Sequence, residues 1–339
     1  AAYVIERLVD AAARKLGMAP DAIRRKNFIA PRAMPYKTAT GKVYDSGDFT
    51  AHMKLAMEIG NWKEFPRRAK AAKKQGLVRG IGLGTYVVFD VAPHTPEMAE
   101  LREVLKTFVA GGASVVDSSP MYGHAESAVG GLASELALRP SLFLATKVWT
   151  TGREAGIRQM QDSLRVMRTQ HIDLMQVHNL LDLETHLKTL REWKQAGTIR
   201  YLGITHYYSG AYRELEQLLK TRDYDFVQFN YSLAEREAET RLLPVAAETG
   251  TAVIINRPFA HGALFAKIQG RALPAWAAEF DCASWAQFFL KYILAHPAVT
   301  CVIPGSGKVL HMADNLGAGK GRLPDAGQRK RMAELIQSL

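Results

Sequence analysis

Cysteine is nearly missing from this chain of 339 residues: there are two, Cys282 and Cys301. Two thiols cannot build a disulfide framework or a four-thiolate metal site, so they read as buried free thiols in a reducing compartment, and no metal is expected. Long apolar runs are missing too. None approaches the roughly 18 residues that a bilayer-spanning helix needs, although a hydrophobic content of 47% is ordinary for a globular protein. The opening AAYVIERLVDAAARKLG mixes acids and bases through an amphipathic pattern, unlike a secretory leader, so the expected compartment is the cytoplasm. It starts inside a helical pattern, as a fragment or a fusion product would. A glycine fingerprint of the G-x-G-x-x-G type after a first strand is also lacking. The GIGLG at 80–84 runs into TYVVFD rather than a helix, so it reads as strand.

Charge is plentiful but unevenly placed. Of the net +11, residues 1–80 supply 17 Lys and Arg against 7 Asp and Glu, whereas residues 81–339 carry 27 against 26. The basicity therefore belongs to the N-terminal segment. RRAKAAKKQ at 67–75 reads as a solvated helix face, with an acidic or nucleic-acid partner as the alternative.

The texture changes near residue 79. Before it, Ile5, Leu8, Val9, Ala12 and Leu16 share one face of a first helix, which Gly17 stops. Pro20-Asp21 starts a second helix. Residues 31–47, punctuated by proline and glycine, read as loop or irregular extended chain. Ser46 to Asp48 can cap a third helix over 48–60, and a fourth fits 65–75. After residue 79, eight short apolar runs alternate with amphipathic stretches: 81–86, 114–117, 142–147, 172–178, 199–205, 226–230, 252–256 and 299–304. Helices are expected at 96–110, 124–138, 154–169, 183–196, 209–220, 236–249, 284–295 and 308–317. Alternating strands and helices pair in parallel through right-handed crossovers. Eight units in about 250 residues fit an α/β fold of the closed (β/α)8 TIM-barrel type, with an open doubly wound sheet as runner-up. The expected division is a non-autonomous segment at 1–78 and the barrel at 79–339.

In such a barrel, chemistry collects where strands end at the C-terminal face. Asp117 closes SVVD, Lys147 closes LFLATK and His178 closes IDLMQVH, while Tyr122 follows Asp117 in the loop SSPMYGHAE. Each alone has a plain structural reading: a capping Asp, a solvated Lys, a satisfied core His. Together they make a carbonyl-reducing set. A phenol with a pKa of ~10 is a weak acid at neutral pH, and a close ammonium stabilises its anion. Lys147 would be that ammonium, Asp117 its counter-charge, His178 the donor to the carbonyl oxygen, and Tyr122 the general acid.

VVDSSPMYGHAE, LFLATKVW and IDLMQVHN resemble the catalytic motifs of the aldo-keto reductase superfamily, whose tetrad is Asp, Tyr, Lys and His in that order. LGITHYY, FVQFNYSLAERE, INRPF and VIPGSG are similar to its later blocks. One bacterial branch resembles IDLMQVHNLLD and INRPFAHGALF in particular. Members of it often carry a twin-arginine export signal, and none is found here. The resemblance implies a nicotinamide dinucleotide lying across the barrel mouth and a small carbonyl substrate, without a nucleic-acid or membrane partner. It places Gln228 and the Thr205-His206 pair at the carboxamide, where the family has Ser-Asn. Asn256 stands where many members place an aromatic on the nicotinamide, and Arg257 and Pro258 continue that block toward the pyrophosphate. Ser306 suits a phosphate near a helix N-terminus, and Asn315 suits the adenine. Gly305 and His311 replace a Lys and an Arg of NADP-preferring members. Lys308 can supply that charge, so NADPH is expected, with NADH as the alternative. Tyr86, Phe89, Trp149 and Asn179 are candidates for the substrate pocket.

The segment before residue 78, from AAYVIERLVDAAARKLGMAPDAIRRKNFI to MPYKTATGKVYDSGDF, resembles part of the molybdenum hydroxylase large subunit. The molybdopterin-binding and catalytic-glutamate motifs of that group are absent, so no molybdopterin is expected. Three readings compete: a carbonyl reductase, a non-catalytic nucleotide-binding sensor on the same fold, and a molybdenum hydroxylase fragment.

Overall fold

The computed structural model describes residues 2–38, 43–44, 47–59, 62–74, 96–221 and 224–339. The chain forms two compact units, 1–89 and 90–339. Among the described residues no helix is long and apolar enough to cross a membrane.

The first unit opens with α1 (Ala2–Lys15), which Gly17 ends at a φ of +64°. The helix α2 (Pro20–Asn27) begins on proline, whose missing N–H costs nothing there. The stretch read as irregular contains a two-stranded antiparallel hairpin, β1 (Tyr36–Lys37) with β2 (Val43–Tyr44). Asp48 caps α3 (Phe49–Ile59) by accepting from the Ala51 N–H at 2.9 Å. The basic stretch lies on α4 (Phe65–Lys74), with Arg67 exposed and paired to Glu64. On the described part of α1, Ala13 is buried, Val9 and Ala12 are half-buried, and Leu8 and Leu16 are 64% and 65% exposed. The Asp10–Arg24 ion pair at 3.0 Å ties α1 to α2.

The second unit is a (β/α)8 fold. Its described residues carry seven parallel strands in sequence order: β3 (Val115–Asp117), β4 (Phe143–Val148), β5 (Ile172–His178), β6 (Ile199–Thr205), β7 (Phe226–Asn230), β8 (Ala252–Asn256) and β9 (Cys301–Val302). The strand expected at 81–86 lies outside the described residues. The crossover helices are α5 (Pro96–Ala110), α6 (Ala125–Glu135), α7 (Arg153–Val166), α8 (Leu183–Gln195), α9 (Tyr212–Thr221), α10 (Leu242–Glu248) and, after the short α11 (Ala263–Lys267), α12 (Trp285–Leu294). Then come α13 (Val309–Gly317) and α14 (Ala326–Ser338). The strand read at 299–304 is reduced to two residues. The helix α14 follows the last strand–helix unit and was not expected; an Asp325–Gln328 capping box starts it.

Side chains alternate across each strand. One row of every strand packs outward against the helices in the main core, with Leu144, Val177, Ile204, Val227 and Ile255 almost wholly buried. The other row fills the barrel in layers. Phe143, Tyr201 and Phe226 form an aromatic floor, with centroids 5.4 to 6.0 Å apart. Ala145, Leu174 and Ile254 lie above it. Gly203 belongs to this layer for a steric reason: a Cβ there would come within 2.9 Å of the Phe226 carbonyl oxygen. Two residues further along β4 to β8, the same row turns polar, with Lys147, Gln176, Thr205, Gln228 and Asn256.

Candidate active site

The polar layer follows from strand register. Asp117 pairs with Ala145, and Lys147 with Gln176, so Asp117 and Lys147 lie diagonally across neighbouring strands with side chains on the inner face. The Lys147 ammonium is wholly buried and donates to Asp117 Oδ2 at 2.6 Å and to the Ser118 carbonyl at 2.7 Å. Gln176 Nε2 donates to the other Asp117 oxygen at 3.1 Å. Both carboxylate oxygens are thus engaged, as a buried charge requires.

Tyr122 sits in the loop between β3 and α6, its N–H bonded to the Ser119 carbonyl at 2.9 Å. The Lys147 Nζ lies 5.0 Å from the centre of its ring. The ring meets the His178 imidazole edge-on at 5.9 Å, and Tyr122 is 42% exposed, open to a ligand. His178, at the end of β5, is only 5% exposed. Burial, with the Lys147 and His206 charges adding to it, pushes its pKa down to about 4. The imidazole is therefore neutral at pH 7, a hydrogen-bond donor rather than an acid.

Trp149 packs beside His178 at 6.2 Å and is 41% exposed. Its backbone is held on both sides by Gln159, which accepts from the Trp149 N–H at 2.6 Å and donates to its carbonyl at 3.2 Å. Two further anchors fix the loop: Asp182 accepts from the Gly152 N–H, and His186 Nε2 donates to the Thr150 carbonyl. Asn179 follows His178 with a left-handed φ of +54°. Its Oδ1 is buried without a hydrogen-bond partner.

Across the mouth, Thr205 donates to Gln228 Oε1 at 2.9 Å, which leaves Gln228 Nε2 buried and unpartnered. Asn256 Nδ2 donates to the His206 carbonyl at 3.1 Å, and Asn256 Oδ1 is likewise buried and unpartnered. His206 stacks on Tyr207 at 5.2 Å and accepts the Tyr207 N–H on Nδ1. Arg257, at a left-handed φ of +52°, lays its guanidinium over the Tyr207 ring at 4.4 Å, and Pro258 is buried. Ser306 donates to the Lys308 carbonyl at 3.3 Å; Lys308 is exposed at the N-cap of α13, and Asn315 is half-buried on that helix. Tyr86 and Phe89 lie outside the described residues. Cys282 is buried and Cys301 only half-buried, which corrects the expectation of two buried thiols. Burial pushes them up to about 11 and about 12, so neither is a thiolate at neutral pH.

Asp117, Tyr122, Lys147, His178 and Trp149 thus form one contact set, and Thr205, His206, Gln228 and Asn256 a second. Ser306, Lys308 and Asn315 make no side-chain bond to either among the described residues. Sequence reasoning missed Gln176, Ser119 and Tyr207. Gln176 carried a signal, because it stands two residues before His178 in the same inward row. Ser119 and Tyr207 carried none that distinguishes them from other loop residues.

A model of the aldo/keto reductase family matches residues 80–336. The aldo-keto reductase YhdN of Bacillus subtilis is 26% identical over 203 residues, a match spanning 56% of this chain and 60% of that protein. Among solved structures, an aldo/keto reductase from Klebsiella pneumoniae in complex with NADP and acetate superposes with a TM-score of 0.63 at 23% identity. That superposition covers 72% of this chain and 87% of the other, and it speaks to the fold alone. A separate match, 39% identical over 89 residues, is to the carbon monoxide dehydrogenase large chain of Hydrogenophaga pseudoflava, covering 25% of this chain and 11% of that one.

Proposed function

The chain belongs to the aldo/keto reductase family of NAD(P)H-dependent oxidoreductases, and on that premise we propose that it reduces an aldehyde or ketone to the alcohol with NADPH, Tyr122 supplying the proton. The observation that carries this reading is the Lys147–Asp117 pair at 2.6 Å, set beneath the Tyr122 ring and beside a neutral His178.

The cofactor reading has its own support. The two buried polar atoms without partners on the second contact set are a donor, Gln228 Nε2, and an acceptor, Asn256 Oδ1. A carboxamide offers the complementary acceptor and donor, so the nicotinamide group fits what these side chains leave unmet. Ser306 and Lys308 would hold phosphate, Lys308 favouring the 2′-phosphate of NADPH by charge, and Asn315 would meet the adenine. Arg257 and Pro258 would line the path between them. When bound, NADPH supplies the hydride for the carbonyl carbon.

The chain's residues do the rest. His178 donates a hydrogen bond to the carbonyl oxygen and holds it as negative charge develops. Tyr122 passes its phenolic proton to that oxygen. Lys147 has three N–H bonds, two of them occupied by Asp117 and the Ser118 carbonyl, and the third is available to the phenolate. Asp117, held in turn by Gln176, keeps the ammonium charged in a buried place. Trp149 and Asn179 wall the substrate side. Chemistry is assigned to residues 79–339, and none to 1–78.

Turnover of a panel of aldehydes and ketones, with NADPH and NADH offered separately, tests this. Carbonyl-dependent oxidation of NADPH is expected. Tight cofactor binding with no turnover on any carbonyl would instead mark a nucleotide-binding sensor.

A further inference from the structure

Ser119 lies at the centre of the site, wholly buried, and its hydroxyl oxygen is 3.1 Å from His178 Nδ1. That oxygen already accepts the Met121 N–H at 3.2 Å. Among the described residues, the acceptor within reach of the Ser119 hydroxyl hydrogen is His178 Nδ1. An imidazole nitrogen that accepts a hydrogen bond carries no proton, so in a neutral ring the proton sits on the other nitrogen. The alternative, Nδ1–H donating to Ser119, would leave the serine O–H buried without an acceptor, a cost that native interiors avoid. The Ser119 carbonyl also accepts the Tyr122 N–H at 2.9 Å. One residue therefore touches both the ring that meets the carbonyl oxygen and the loop that carries the phenol.

We propose that Ser119 is a positioning residue: its hydroxyl donates to His178 Nδ1, fixes the Nε2–H tautomer, and aims that N–H at the carbonyl oxygen of the substrate. The low pKa of His178 agrees, because a neutral ring has a tautomer to choose. The inference rests on the reading of His178 as the donor to the substrate, and its test separates the two.

The first measurement is the ¹⁵N chemical shifts of the His178 ring in the full chain at neutral pH. The expected spectrum has the proton on Nε2 and the shift of a hydrogen-bonded, unprotonated nitrogen on Nδ1. A proton on Nδ1 overturns the proposal while leaving the carbonyl-reductase reading intact. The second is kinetic. Ser119→Ala should lower kcat about tenfold, the cost of one lost orienting hydrogen bond, and leave cofactor Kd unchanged. Ser119→Thr, which keeps the hydroxyl, should restore most of kcat. An equal loss in the Ala and Thr variants, or a loss confined to cofactor Kd, contradicts the positioning role. If Ser119→Ala does not fold, the wild-type spectrum and the Thr variant still decide. His178→Asn with full kcat would instead sink the reading on which the inference rests.

Discussion

The two units of this chain bury different things. Among the described residues of the first, the buried apolar side chains are Ala13, Ile23 and Met53, with the charged Arg24 beside them. The second buries a continuous core around parallel strands and holds a Lys–Asp pair inside it. The first carries nearly all of the net charge. The described part of the first unit thus offers few buried side chains to hold strained or charged groups in place. A barrel with a dense core can hold Lys147 wholly out of water and Asn179 in a left-handed conformation. The contrast supports the proposal that places the chemistry in the second unit.

The largest expected effect is on the buried pair. Lys147→Met leaves the Asp117 charge buried and unpaired, and should cost roughly 3–5 kcal/mol of stability in chemical denaturation together with activity. A cost under about 1 kcal/mol would show that Asp117 takes up a proton or reaches water instead. The next pair sets the units side by side. Phe289, wholly buried among Phe259, Phe265 and Trp285, should cost about 3–5 kcal/mol as Phe289→Ala. Leu16, 65% exposed, should change stability by less than about 0.5 kcal/mol as Leu16→Ser. A large loss at Leu16 would mean that this face of α1 is covered in solution.

Much of this was legible in the sequence, for physical reasons that differ by element. The strands β5 to β8 match the apolar runs residue for residue, because a strand buried on both faces must be apolar nearly throughout. The meeting of Asp117, Lys147 and His178 was legible because they stand at or beside the ends of the apolar runs of β3, β4 and β5, with Tyr122 in the loop after β3. The Asp10–Arg24 ion pair between α1 and α2 was not legible, because the two residues lie on separate helices. The helix α14 was invisible to apolar periodicity, since it buries only Met332, Ala333 and Ile336. The bond from Ser119 to His178 joins residues 59 positions apart, and no local pattern encodes it.

Smaller effects sharpen the division. Lys308→Ala should weaken NADPH roughly fivefold, the scale of one exposed ion pair, and NADH hardly at all. Equal losses for both cofactors would remove Lys308 from the 2′-phosphate. The smallest effect is expected from deleting residues 1–75, which precede the family match and every tetrad residue. For folded protein, kcat/KM should stay within about twofold, and the thermal midpoint should be followed separately. A large fall in kcat/KM would show that the first unit sets the geometry of the site.

The central claim is that Tyr122 delivers the proton. Tyr122→Phe removes one oxygen and keeps the ring that faces His178 and Lys147. Its carbonyl-dependent oxidation of NADPH, measured beside fluorescence titration of the cofactor, tests the claim most directly. The account predicts a fall in kcat of ~10²–10⁴ with cofactor Kd nearly unchanged. A fall of only a few-fold in kcat would contradict it.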